Sequence, residues 1–222
     1  MLRSNPVSEA RPRIRSGRRT IRPESEQVVD LIKAANDESQ RAGLALRVAA
    51  VSGARAAEVV ALQWGDLSRD RLRVGRQRHS APGEALLRER TKTGAARVVV
   101  LDAATVAAIA QWRTTADEVA GEPTDWMFAH PGASEPPSPR WLYDVFVRAA
   151  RKAGIRTGRN GGMVLHDLRH WAASTALRDG HDPVTVAARL GHSPETLLRV
   201  YAQEIDDGQS EVAASLASRI DL

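Results

Sequence analysis

The sequence predicts a mainly α-helical fold carrying one small three-stranded antiparallel sheet, an α+β arrangement. Three observations predict it. Apolar residues recur at helical spacing up to about residue 62 and again from residue 103 onward. Between them, residues 66–102 alternate and are rich in β-branched side chains, and Pro82-Gly83 and Thr93-Gly94 punctuate that stretch as turns. The chain shows no internal repeat, which argues against a solenoid.

The elements follow in order. Residues 1–23 hold Arg3, Arg11, Arg13, Arg15, Arg18, Arg19 and Arg22 with three prolines and almost no apolar content. Such a segment cannot bury enough surface to fold alone, so it is expected to be a mobile basic arm or interdomain linker. Pro23-Glu24 suits the first turn of a helix running to about Asn36, with Val28, Val29, Leu31 and Ile32 as its apolar stripe. A second helix is expected over about 38–51, broken by Ser52-Gly53. A third, from Arg55 to about Leu62, turns Val59, Val60 and Leu62 inward. Runs at 71–78, 85–92 and 97–101 supply the three expected strands. Further on, Trp141, Leu142, Val145, Phe146, Ala149 and Ala150 fall at helical spacing as a core stripe, and Tyr143 in the same helix reads as structural. Residues 155–163 form a loop rich in Gly and Arg. Helices are then expected at about 166–179, 183–190, 195–203 and 208–220. The expected organisation is an arm (1–23), one compact domain (24–205) and a C-terminal helix (206–222).

Composition bounds the function. The 222 residues suffice for one domain with a sizeable core plus an arm, and 42% of them are hydrophobic. No run approaches the roughly 20 apolar residues of a membrane span. The charged first residues lead into no apolar stretch, so no secretory signal is expected. Cysteine is absent, which excludes disulfides and Cys-based metal sites. These features point to a cytoplasmic protein. The net charge is +5, and the cation is nearly all arginine, with lysine only at Lys33, Lys92 and Lys152. Arginine's planar fork suits phosphate, so nucleic acid is a fair partner, although a GC-rich genome favouring Arg codons explains the bias equally well.

Four segments hold polar residues that can do chemistry. In Ser52-Gly53-Ala54-Arg55-Ala56-Ala57-Glu58, Arg55 and Glu58 lie three apart at a helix N-terminus, a place that attracts anions; an exposed ion pair is the plainer reading. Thr91-Lys92-Thr93-Gly94 puts a rare lysine at a strand-to-turn boundary. It is either a solvated edge residue or a proton donor, a task arginine cannot perform. In Leu165-His166-Asp167-Leu168-Arg169-His170, His166 and Arg169 share a helix face as phosphate contacts. Alternatively, His166 and His170 imitate the H-E-x-x-H zinc motif, with aspartate in place of its glutamate and a cation beside the metal. Leu190-Gly191-His192-Ser193-Pro194-Glu195 leaves His192 on a helix connection. It is followed by Tyr201, which with Tyr143 makes up the chain's tyrosines and reads either as packing or as a nucleophile.

Taken in order, Arg55 with Glu58, Lys92, His166, Arg169, the Leu-Gly-His string ending in His192, and Tyr201 nine residues later resemble the tyrosine recombinase, or phage integrase, family. The similarity covers about residues 24–205. Departures are small: Ser52-Gly53-Ala54-Arg55 stands where members usually have Thr-Gly-Leu-Arg, and Trp171 where Thr is common. A larger one is length, since complete members carry an upstream helical domain that clamps the other side of the DNA. The chain's start resembles that family's interdomain linker, so a shortened protein is expected.

The resemblance implies a tyrosine recombinase catalytic-domain fold and a site-specific recombinase that cleaves and rejoins double-stranded DNA. The intermediate would be a 3′-phosphotyrosine with a free 5′-hydroxyl, formed without metal, ATP or other cofactor. Forming phenolate at pH 7 from a group of pKa about 10 costs roughly 4 kcal/mol. Nearby cations lower that cost, and His166 is the implied base for Tyr201. Arg55 and Arg169 would neutralise the phosphorane, each supplying roughly 3–4 kcal/mol. His192 would add a hydrogen bond, Lys92 would protonate the leaving 5′-oxygen, and Glu58 would hold Arg55. The residues 155–163 loop and the arm would contact the DNA backbone. The resemblance also implies a homo-oligomer, a tetramer of the full-length protein on DNA, in a prokaryotic or phage-encoded system. In the C-terminal helix, Val212, Leu216 and Ile220 would pack on their own domain or dock on a neighbouring copy. The alternatives are a type IB topoisomerase, a zinc metallopeptidase using His166 and His170, and a catalytically dead DNA-binding module, against which the complete six-residue set argues.

Overall fold

The structure, a computed structural model, describes residues 22–79, 87–89, 96–120, 125–130, 132–158, 161–201 and 216–219. The first helix, α1 (Ser25–Asn36), begins with a capping box in which the Gln27 side chain accepts the Glu24 backbone N–H at 3.0 Å. Its buried stripe is Val28, Leu31, Ala34 and Ala35; Val29, expected inside, is exposed. The next helix, α2 (Gln40–Ser52), is buried on most of its circumference and packs against α1. It ends at Gly53, whose φ of 62° is the left-handed conformation that favours glycine. Helix α3 (Ala56–Val59) is shorter than the expected 55–62. After Val59 the chain tightens into turns, and Leu62 O and Trp64 N pair with Met127 N and Asp125 O, drawing the backbone away from the helix axis. Val59, Val60 and Leu62 are nevertheless buried, as their pattern predicts.

The sheet is assembled differently from the expectation. Strands β1 (Leu67–Ser68), β2 (Arg71–Val74) and β5 (Arg97–Val100) form the three-stranded antiparallel sheet in the order β1-β2-β5, with Leu67 opposite Leu72 and Leu72 opposite Val99. Strands β3 (Arg76–Arg78) and β4 (Leu87–Glu89) form a separate two-stranded ribbon. The run at 71–78 therefore divides at Gly75, where an added Cβ would lie 3.1 Å from both Ala96 Cβ and the Arg73 guanidinium carbon. Beyond that point Arg76 turns to the Asp66 carboxylate at 2.5 Å. The two-residue β1, folded back by a turn with Arg69 at φ 56°, takes the place expected of residues 85–92.

The rest is helical: α4 (Ala103–Ala120), α5 (Pro139–Lys152), α6 (Asp167–Arg178), α7 (Pro183–Leu190) and α8 (Pro194–Tyr201). Proline at the first turn and a side-chain cap, Ser138 for α5 and Asp182 for α7, mark two of the starts. Leu142, Val145, Phe146, Ala149 and Ala150 of α5 are buried, while Trp141 is partly covered and Tyr143 is exposed under Arg140. The main core gathers α1, α2, the sheet, α4 and α5, and reaches Leu168 at the start of α6. A smaller core joins Ala173 and Leu177 of α6 to Val186, Ala187 and Leu190 of α7 and to Leu197 and Tyr201 of α8. Helix α6 thus belongs to both. Most of the expected arm (1–23) and C-terminal helix (206–222) lie outside the described residues; Leu216, within residues 216–219, is exposed. Among the described residues no helix is long and apolar enough to cross a membrane.

Candidate active site

Four chain segments meet where the two cores adjoin: the α2–α3 junction, the start of β5, the start of α6 and the end of α7. Arginines stitch them together by donating to carbonyls that helix ends leave unsatisfied. Arg169 is 2% exposed. Its Nη1 donates to Gly53 O at 2.5 Å and its Nη2 to Leu190 O at 2.6 Å. Arg189 donates to Val51 O and Val100 O, and Arg97 Nε to Arg189 O at 2.8 Å.

Glu58 has no exposed surface and is the common anion of this network. Its Oε1 accepts from Arg55 Nη1 at 3.1 Å; its Oε2 accepts from Arg55 N and Arg97 Nη2, each at 2.9 Å. The surface ion pair that the i, i+3 spacing allowed is instead anchored in the interior. Burial alone would raise the Glu58 pKa, but the Arg97 hydrogen bond and charge, followed by those of Arg55, hold it down at about 2. Arg97 was not singled out by sequence. Its signal was there in the strand alternation, which puts Arg97 on the same inward face as Val99.

The cations press on their neighbours. Burial first, then the charges of Arg55 and Arg97, lower the Arg169 pKa to about 9, against opposing contributions from Glu58 and Tyr201. At pH 7 the guanidinium remains charged. His192 is pushed down to about 4 by burial and then by Arg169, Arg55, His166 and Arg97, so at pH 7 it is neutral. Its Nε2 lies 2.7 Å from Arg169 Nη2. Since a guanidinium only donates, Nε2 accepts, and the ring proton sits on Nδ1. That Nδ1 and Arg169 Nε are both buried without a hydrogen-bond partner among the described residues.

Tyr201, the last residue of α8, is 1% exposed, and burial raises its pKa to about 12, against the nearby charges of Arg169 and Arg22. Its phenol does not meet His166. The hydroxyl lies 2.5 Å from Nδ1 of His170, which the sequence offered only as half of a zinc pair. His166 caps α6, is exposed, and stands edge-on to His170 with ring centroids 5.0 Å apart. Asp167 is fully buried and accepts the Val164 N–H at 2.8 Å. The described residues hold no cluster of three or more metal-ligating side chains, and Nδ1 of His170 lies against the phenol. Arg55, Glu58, Arg169, His192 and Tyr201 are thus linked through contacts or mutual charge, with His166 one ring away. Lys92 lies outside the described residues.

Residues 22–207 match the phage integrase family. The chain belongs to that family. Among curated relatives of this phage integrase family member, the ICEBs1 integrase of Bacillus subtilis is 25% identical over 178 residues, covering 76% of this chain and 46% of the relative. Among solved structures, the XerH site-specific recombinase bound to palindromic difH substrate in a post-cleavage complex superposes with a TM-score of 0.64. It has 22% identity and covers 90% of this chain and 54% of that one. A lambda integrase tetramer bound to a Holliday junction matches with a TM-score of 0.58 and 20% identity, over 84% and 48% of the two chains. The fold is that of tyrosine recombinase catalytic domains. The chain spans about half the length of these relatives.

Proposed function

We propose that this chain is the strand-transfer domain of a cytoplasmic site-specific DNA recombinase, with Tyr201 as the nucleophile that forms a 3′-phosphotyrosyl link. The observation that carries the reading is the pair of buried donors, Arg169 Nε and His192 Nδ1, unpartnered among the described residues, in a cationic cluster that also holds Arg55 and lies within electrostatic reach of the Tyr201 phenol. An unsatisfied buried donor is costly, and a phosphate diester is the ligand whose oxygens would satisfy both. In this reading Arg55 and Arg169 neutralise the phosphorane, His192 and His166 add hydrogen bonds to its oxygens, and Lys92 protonates the departing 5′-oxygen. Glu58 fixes Arg55 without touching substrate. Bond energy stays in the phosphotyrosine, so rejoining needs neither ATP nor metal.

The relatives' names, integrase and recombinase, favour exchange between two DNA sites over relaxation of one duplex. The tetramer on a Holliday junction supports a homo-oligomer on double-stranded DNA. Residues 24–205 are the proposed catalytic domain, 1–23 a basic arm on the DNA backbone, and 206–222 a segment for contact between copies. The test is covalent capture. Incubated in EDTA with a nicked duplex carrying its cognate site, the protein yields an SDS-resistant adduct, and mass spectrometry places it on Tyr201. Tyr201→Phe yields none. An adduct on the Phe variant would refute the nucleophile assignment.

A further inference from the structure

We infer that His170, rather than His166, takes the phenolic proton when Tyr201 attacks; this rests on the recombinase reading above. A general base must lie within hydrogen-bond reach of the proton it removes, about 2.6–3.2 Å or closer. Nδ1 of His170 lies 2.5 Å from the Tyr201 hydroxyl. The His166 ring stands edge-on to that of His170, at 5.0 Å between centroids. The contact is held by the packing of α8 on α6. Tyr201 is fixed in the small core by Leu197 of its own helix and by α6 and α7, and His170 is carried on α6, one residue past the buried Arg169. In the reacting form the phenol donates and Nδ1 accepts, which puts the ring proton of His170 on Nε2.

The step balances simply. The Tyr201 oxygen forms a bond to phosphorus as its proton passes to His170 Nδ1, giving an imidazolium. The bond from phosphorus to the 5′-oxygen breaks with its electron pair on that oxygen, which takes a proton from Lys92. Rejoining runs the same transfers backward, and the imidazolium returns its proton to the departing phenol. The adjacent pair of histidines then has divided tasks, the exposed His166 bonding to phosphate and the half-buried His170 handling the nucleophile.

The experiment measures adduct formation on a nicked duplex and on its counterpart with a 5′-thiol leaving group, which departs without a proton. His170→Ala and His170→Asn are compared with His166→Ala and Lys92→Ala. Asn can keep a polar atom near the Nδ1 position but cannot accept a proton at neutral pH. The inference expects both His170 variants to melt near the parent and to form adduct at least ~100-fold more slowly on both substrates, within the range general bases contribute. Free imidazole raises the His170→Ala rate at least ~10-fold, while Lys92→Ala recovers on the thiol substrate alone. It is overturned if His170→Asn keeps the parent rate, since the contact then only positions the phenol. It is equally overturned if His170→Ala is as fast as the parent, if its defect vanishes on the thiol substrate, or if imidazole accelerates His166→Ala and not His170→Ala. An adduct that persists in Tyr201→Phe fails the recombinase reading itself, a distinct result from any of these.

Discussion

Glu58 sets the charge balance of the site at the level of a single residue. Its pKa falls from an ordinary 4.5 to about 2, because the Arg97 and Arg55 interactions outweigh its burial. A fall of that size corresponds to about 3 kcal/mol. The folded carboxylate binds its proton less tightly than the unfolded one. Its contribution to stability is therefore complete above pH 4.5 and is lost as the pH drops toward about 2. Chemical denaturation of the parent between pH 5 and 2.5 should show a steeper loss than Glu58→Gln, which cannot titrate; parallel curves would contradict the pairing. Arg97→Ala and Glu58→Gln should both destabilise the fold at neutral pH, since each removes one partner of a buried pair and leaves the other's charge uncompensated, at up to about 3–5 kcal/mol. Most of the candidate site was legible from residue order, because Arg55, Glu58, His166, Arg169, His192 and Tyr201 stand in a characteristic series. Arg97 and His170 were not. The role of Arg97 depends on which strand face points inward, and that of His170 on α8 packing against α6, a contact 31 residues apart in sequence.

Helix ends and turns, more than helix interiors, determine where the candidate site residues sit. Gly53 closes α2 at φ 62° and offers its carbonyl to Arg169; an added Cβ would come within 2.3 Å of Leu190 Cδ2. Gly53→Ala therefore pays twice, in a left-handed backbone disfavoured for side chains and in a collision with the end of α7. The backbone part alone costs about 1–3 kcal/mol. Displacing Leu190 also moves the second carbonyl that holds Arg169 and the neighbouring His192. The expected result is a lower melting temperature together with an adduct rate reduced by more than the unfolded fraction explains. A variant that melts lower yet reacts at the parental rate would separate Gly53 from the site. At this scale the sequence served unevenly. Helix starts such as that after Pro23-Glu24 and that at residue 183 were readable because first-turn and capping signals are local. The end of α3 and the division of the 71–78 run at Gly75 were not, because pairing of residues 62–64 with 125–127 and the reach of Arg76 to Asp66 decide them from outside the segment.

Over the whole molecule, the two cores meeting along α6 explain why the fold class was readable while the sheet's membership was not. Apolar periodicity reports burial, and it placed α1, α2, α5 and the helices between residues 166 and 201 correctly, but which strands pair is a question of distant partners. The charge pattern has a separate consequence. The chain's excess of +5 is carried by arginines and is partly internalised, for Arg97 and Arg169 lie buried and Arg55 is paired with Glu58. On the proposed function, long-range attraction to DNA would then come from arginines outside the site. Contacts of that kind go to the phosphate backbone and release counterions, so affinity falls with salt at a slope of about −0.9 per phosphate neutralised. With about 4–6 such contacts, log K against log salt should fall with a slope of about −4 to −5 for this 222-residue chain on duplex DNA. Affinity should then be weak at physiological salt. Phosphorus-centred contacts made only by the buried cluster would instead give a slope nearer about −1, since it offers one phosphate rather than a path along the backbone. Titration by fluorescence anisotropy between 50 and 200 mM salt decides the matter: nanomolar binding that is insensitive to salt would mean that specific base contacts, rather than this cationic surface, hold the DNA.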